Sequence, residues 1–180
     1  RSVIHKTIHK QVFFSLILWI TLFPHVSRLS FEQRNHRQNS FLDIREMTIE
    51  HHTVKISGIP AILWGTGSKK VYIYLHGQGG NKEEASLLAS IACAQGWQVV
   101  SFDLPQHGKR TQEEASFVPW HIIPELHHIL RYVKQHWTVH ALFANSIGAW
   151  FSMLSFAKET FSHALFVSPI LDMKYLMSNL

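Results

Sequence analysis

Four short runs rich in β-branched, aromatic and aliphatic residues, spaced by helical segments, constrain this chain more than any other feature. They are Val71–Leu75, Trp97–Phe102, Thr138–Phe143 and His163–Val167. The first is apolar without alternation, as in a strand covered on both faces rather than one. Between the runs the pattern turns helical. Asn81–Gln95 opens on a capping residue, carries Glu83 and Glu84 in its first turn and stops at Gly96. Pro119–Trp137 repeats Ile122, Leu126, Ile129, Leu130, Val133 and Trp137 at helical spacing. Ile147–Lys158 and Asp172–Met177 read as further helices. Strand–helix alternation with short joints predicts an α/β fold with a mostly parallel central sheet and helices on both faces. Ahead of it, Thr48–Ser57 alternates, Gly58 breaks the run, and Ile59–Trp64 returns, which predicts a hairpin.

The charge balance splits at the same place as the pattern. Residues 1–46 hold seven basic and three acidic residues, net +4, whereas residues 47–180 hold ten and nine, net +1. The patterned part is nearly neutral, which argues against a nucleic-acid partner, since that needs a basic face on the folded domain. A hydrophobic content of 46% with 16% charged residues suits a packed core. One cysteine, Cys93, excludes an intrachain disulfide or a multi-cysteine zinc site.

Residues 1–46 are expected to form a leader, with the domain over 47–180. The run Val12–Phe23 is twelve residues long, short of the about 20 that a spanning helix needs. Lysines before it and Arg28 after it resemble a signal-peptide flank, but no clear cleavage site follows. The chain opens on Arg1, and its first methionine is Met47. We therefore expect the leader to be a non-native or upstream-translated extension and the protein to be cytoplasmic. The competing reading is a genuine leader, with membrane association or export.

In parallel sheets, ligands bind beyond the carboxyl ends of the strands. The clusters there are His76-Gly77-Gln78-Gly79-Gly80, Asp103-Leu104-Pro105-Gln106-His107-Gly108, Ala144-Asn145-Ser146-Ile147-Gly148 and Ser168-Pro169-Ile170-Leu171-Asp172. The third is a small-x-Ser-x-Gly pentapeptide between strand and helix, a pattern that lifts a serine hydroxyl above the sheet. The helix behind it offers the Ile147 N–H and the positive end of its dipole. The glycine-rich loop after Val71–Leu75 offers free N–H groups, with Gln78 the expected second donor to an oxyanion. The Lys-Ser/Thr of a nucleotide phosphate loop is missing from it.

The order HGQGG, DLPQHG, ANSIGAW at successive strand ends resembles the α/β-hydrolase superfamily, over roughly Met47–Leu180, the front two-thirds of such a domain. The resemblance implies that Ser146 is a nucleophile attacking an acyl carbonyl. It implies an oxyanion hole completed by the loop after the first central strand, with His76, Gly77 and Gly79 around Gln78. Asp103 and His107 would be structural, ordering the adjacent loop. Ala144 and Gln106 depart from the pattern, each standing where glycine is common. The implied activity is hydrolysis of a small-molecule ester, thioester or amide through an acyl-serine, without metal or cofactor. The alternative is a non-catalytic binding protein with a vestigial elbow.

A serine needs a base, and the superfamily's order is Ser, then acid, then His. After Ser146 the chain has one histidine, His163, at the amino end of the last predicted strand and so at the opposite edge. Glu159 and Asp172 are the acids. Asp172 reads as a helix-start residue, with catalytic acid the lesser alternative. The expectation is a fragment whose acid and histidine lie beyond Leu180, and which turns over almost no substrate. Other signals are set aside. His51-His52, His127-His128 and His136/His140 read as surface histidines. Ser155-x-x-Lys158 lies inside a helix without its partner motifs. Cys93 reads as core packing, and Trp120 and Trp150 as either core packing or an acyl-pocket lining.

Overall fold

A computed structural model describes residues 49–114 and 116–178; the leader and its apolar run lie outside the described residues. Six strands form one sheet: β1 (His51–Ile56), β2 (Ile59–Trp64), β3 (Lys70–Leu75), β4 (Gln98–Phe102), β5 (Val139–Asn145) and β6 (Ala164–Val167). The helices are α1 (Ser86–Ala94), α2 (Pro119–His136), α3 (Ile147–Phe156) and α4 (Met173–Ser178), with 3₁₀ turns at Lys82–Ala85 and Gly108–Arg110. Among the described residues no helix is long and apolar enough to cross a membrane.

The sheet runs β1-β2-β4-β3-β5-β6. Strands β4, β3, β5 and β6 are mutually parallel, and β1 and β2 add an antiparallel edge. From β3 the chain first steps to one side, to β4, then crosses back to β5 on the other. Right-handed crossovers therefore put α1 on one face and α2 with α3 on the other. The core follows: Leu88, Ala89 and Ala92 of α1 pack with Ile62, Trp64, Tyr74 and Val99. Ile122, Leu126, Ile129, Leu130 and Val133 of α2 pack with Phe151 of α3 over Val71, Ile73, Val100 and Leu142.

Local chemistry sets the element ends. The β1–β2 turn is Ser57-Gly58 with φ of 51° and 88°, the doubly positive pair that a twisted two-residue hairpin requires. Asn81 caps as expected, its side chain accepting the Glu83 N–H at 3.0 Å. The helix after it is not continuous, however; its first turn tightens to 3₁₀ before α1 begins. At the far end Gly96 has φ 71°. The Gly96 N–H reaches the Cys93 carbonyl and the Trp97 N–H the Ala92 carbonyl, both at 3.0 Å, a Schellman ending.

Two side chains differ from expectation. Cys93 is only partly buried, its sulfur packed over Gly65, where a Cβ would lie 2.7 Å from it. Trp120 is 70% exposed, because it follows Pro119 on the solvent side of α2, so it is not a core residue. Trp150 is partly buried against the α2–α3 core.

Candidate active site

All four predicted clusters lie at the carboxyl edge of the parallel strands, because β3, β4, β5 and β6 share one direction. Ser146 follows β5 directly and precedes α3, with φ 50° and ψ −119°. A non-glycine residue there is strained and is held by its surroundings. Its N–H donates to the Val167 carbonyl at 2.8 Å, and its carbonyl accepts from Ala149 at 3.1 Å and Ile170 at 3.5 Å. Ser146 is half-buried, not packed inside the core. Its hydroxyl has no hydrogen-bond partner among the described residues. The Ile147 N–H, first in α3, has no acceptor within the helix by construction.

Gly148 explains how closely α3 meets the sheet. A Cβ there would lie 2.4 Å from the His76 carbonyl oxygen and 3.1 Å from Leu75. Ala144, in contrast, buries its methyl completely in the core. The elbow therefore needs glycine at its second small position and tolerates alanine at its first.

The HGQGG loop lies against this bend, since a Cβ on Gly77 would be 3.2 Å from the Ser146 Cβ and 3.3 Å from the Asn145 amide. Gly77 to Gly80 form a turn closed by the Gly80 N–H on the Gly77 carbonyl at 3.1 Å. Gly79 sits at its third position with φ 73°, which a type II turn demands. Gln78, at the exposed second position, donates its N–H to no group among the described residues.

His76 is fully buried and sets this turn. The Leu104 N–H donates to its Nε2 at 3.0 Å, so that nitrogen carries no proton. Its Nδ1–H therefore donates to the Gly77 carbonyl at 2.8 Å. The ring is neutral, and burial pushes its pKa down, only partly offset by the Gly77 bond.

Asp103 and His107 both hydrogen-bond within the loops that follow β3 and β4. The Asp103 carboxylate, 0% exposed, accepts the Lys82 N–H at 2.9 Å, the Lys82 ammonium at 2.7 Å and the Lys109 N–H at 3.0 Å. It fills the space over Gly108, where a Cβ would be 2.2 Å from Oδ1. His107 bonds the Pro105 carbonyl through Nδ1 at 2.8 Å and packs against Phe117. Gln106 has φ 62° and is exposed. A side chain in that region costs roughly 1–2 kcal/mol, and glycine's extra chain entropy takes back part of the gain. Gln106→Gly is therefore expected to stabilise the chain by about 0.5–1 kcal/mol, measured by urea unfolding.

Two buried cations escaped sequence reasoning. Lys82 is 1% exposed and Arg110 4%. Lys82 leaves a trace in the sequence: a lysine opening a helix, where free N–H groups favour anions, needs a partner carboxylate. Arg110 leaves none, because Glu125, its bidentate partner at 2.7 Å, is fifteen positions away on α2.

The remaining expectations concern the base. His163 lies at the amino edge, its Nε2 2.5 Å from the Tyr72 hydroxyl and its ring against Trp97. Asp172 accepts the Tyr175 N–H at 2.8 Å, a helix-start role. Glu159 pairs with Lys134. Among the described residues no imidazole or carboxylate is hydrogen-bonded to the Ser146 hydroxyl. The histidines His127, His136 and His140 bond the carbonyls of Ser155, Tyr132 and Trp137.

A central parallel sheet, an antiparallel amino-terminal edge, helices on both faces and a serine bend after β5 make up the α/β-hydrolase fold. Solved structures share it. A protein from Thermus thermophilus is 17% identical, with a TM-score of 0.57 over 73% of this chain and 66% of its own. An esterase from the bacterial hormone-sensitive lipase family is 22% identical, with a TM-score of 0.56 over 71% and 46%. The epoxide hydrolase VrEH1 from Vigna radiata is 19% identical, with a TM-score of 0.55 over 67% and 38%. The chain thus spans 38% to 66% of the lengths of these three. No protein-family model and no curated protein matches the sequence.

Proposed function

We propose that this chain carries the nucleophile and oxyanion half of a serine hydrolase acting on a small-molecule ester, thioester or amide. Ser146 is the nucleophile, and the N–H groups of Gln78 and Ile147 receive the oxyanion. His76, Gly77 and Gly79 shape the Gln78 turn, and Asp103 and His107 brace the loop beside it. The observation that carries this reading is the strained Ser146, half-buried with an uncommitted hydroxyl and backed by a glycine whose added Cβ would lie 2.4 Å from the His76 carbonyl oxygen. A capping serine in a packed helix would have neither the strain nor that glycine. Acyl transfer then follows ordinary chemistry. The hydroxyl adds to the carbonyl carbon, negative charge develops on the carbonyl oxygen, and two backbone donors meet it, each worth about 3–4 kcal/mol to the transition state.

The second reading, a binding protein with a vestigial elbow, draws on the Ser146 hydroxyl having no base among the described residues. A fluorophosphonate probe on the natural protein, with the adduct mapped by peptide sequencing, separates the two. Modification at Ser146 is the expected result. A folded protein left unmodified at that position refutes the acyl-serine reading and favours binding.

A further inference from the structure

The geometry points to Arg110 as a positioning residue of the proposed oxyanion site, acting on the Gln78 N–H through a one-way chain of hydrogen bonds that passes through His76. The inference rests on the acyl-serine reading for its purpose, though not for its existence. The chain begins where Arg110 donates from its guanidinium to the Asp103 carbonyl at 3.0 Å. The N–H of that same peptide group belongs to Leu104, and it donates to His76 Nε2 at 3.0 Å. His76 then donates from Nδ1 to the Gly77 carbonyl at 2.8 Å. The far side of that second peptide group is the Gln78 N–H. No peptide bond here is cis, so in each peptide group the N–H points away from the carbonyl.

Every link therefore donates in the same direction: guanidinium to peptide, peptide to imidazole, imidazole to peptide, and peptide toward the proposed anion. Aligned chains of this kind polarise each successive donor, by about 10–30% per bond. The imidazole is the one link that could run backwards, and the Leu104 N–H prevents it by occupying Nε2. Arg110 is itself fixed, with two bonds to Glu125 at 2.7 Å and a third to Glu113 at 2.8 Å. Helix α2 is thus tied to the Gln78 turn through Glu125 and Arg110. The Gly80 N–H also donates to the Gly77 carbonyl, at 3.1 Å, and holds the turn.

Two measurements test the chain without any acyl chemistry. Ring ¹⁵N shifts of His76 are expected to show a protonated Nδ1 and a bare Nε2, although the His107 ring lies 5.2 Å away and Lys82 and Asp103 also act on its charge. A protonated Nε2 in the wild-type chain overturns the proposal, and this reading needs no variant to fold. The second is the Gln78 amide proton. It should move upfield in Arg110→Met, and less in Arg110→Lys, while the Gly65 amide, bonded to Glu50 in the hairpin, stays in place. An unmoved Gln78 signal in folded Arg110→Met also overturns it. In the natural protein, Ser146 modification should slow roughly tenfold in Arg110→Met, below the 10²–10³ for losing a donor outright, with partial rescue in Arg110→Lys. If the wild type is not modified at Ser146, the acyl-serine reading fails while the two spectra still decide the chain.

Discussion

Asp103→Ala is expected to lower the unfolding free energy by about 3–5 kcal/mol, the cost of stranding one member of a buried ion pair. The carboxylate and the Lys82 side chain are 0% and 1% exposed, with 2.7 Å between Nζ and Oδ2. Removing it leaves Lys82 with Glu83 alone, whose side chain is 53% exposed and so offers a screened contact. The truncation also orphans the Lys82 and Lys109 N–H groups, which both end on this carboxylate. Urea unfolding followed by tryptophan fluorescence reads the loss. A double change, Lys82→Met with Asp103→Leu, should cost less than the two singles added, because no lone charge remains. A loss below about 1 kcal/mol for Asp103→Ala would mean the pair is solvated, and that this cluster does not brace the loops around His76.

The parallel strands were legible because burial on both faces removes alternation, and Val71–Leu75 has none. The helices were legible from spacing and caps, as at Asn81 and Gly96. Strand order was not legible. That β4 and β5 flank β3 depends on which way each crossover turns, a property of long-range packing rather than of any local run. The serine bend could be read because its demands are local: a small residue, a serine, then a glycine where helix and strand touch. The charged support beneath it could not, since Arg110 and Glu125 meet only once α2 has folded back over the sheet. Of the two readings of Trp120, core packing fails for a related reason. Apolarity states a preference for burial, while position on α2 decides whether any surface is there to meet it. Gln106 stands where glycine is common, and its positive φ supplies the physical content of that departure.

Gly148→Ala is expected to cost about 3 kcal/mol of stability, the upper end for forcing one methyl into a packed site. The reason lies in what the methyl would meet. The nearest atom, at 2.4 Å, is the His76 carbonyl oxygen, followed by the Leu75 Cβ and carbonyl oxygen at 3.1 Å. Backbone atoms at the end of a central strand cannot rotate away as a side-chain tip can. Strand β3 is paired on both sides, so helix α3 must retreat instead. Its first residue, Ile147, adjoins the strained Ser146, and the turn it would leave behind carries Gln78. A displacement of 1 Å at a reacting group can cost 10²-fold in rate. The variant should therefore lose Ser146 modification by about that factor, even at temperatures where it remains folded. Ala144→Gly serves as the control, because that methyl fills core space and its removal costs about 1 kcal/mol in chain entropy and lost contact. Equal effects at the two positions would mean that α3 does not bear on the end of β3. The proximity of the Ser146 Cβ to Gly77 would then have another cause.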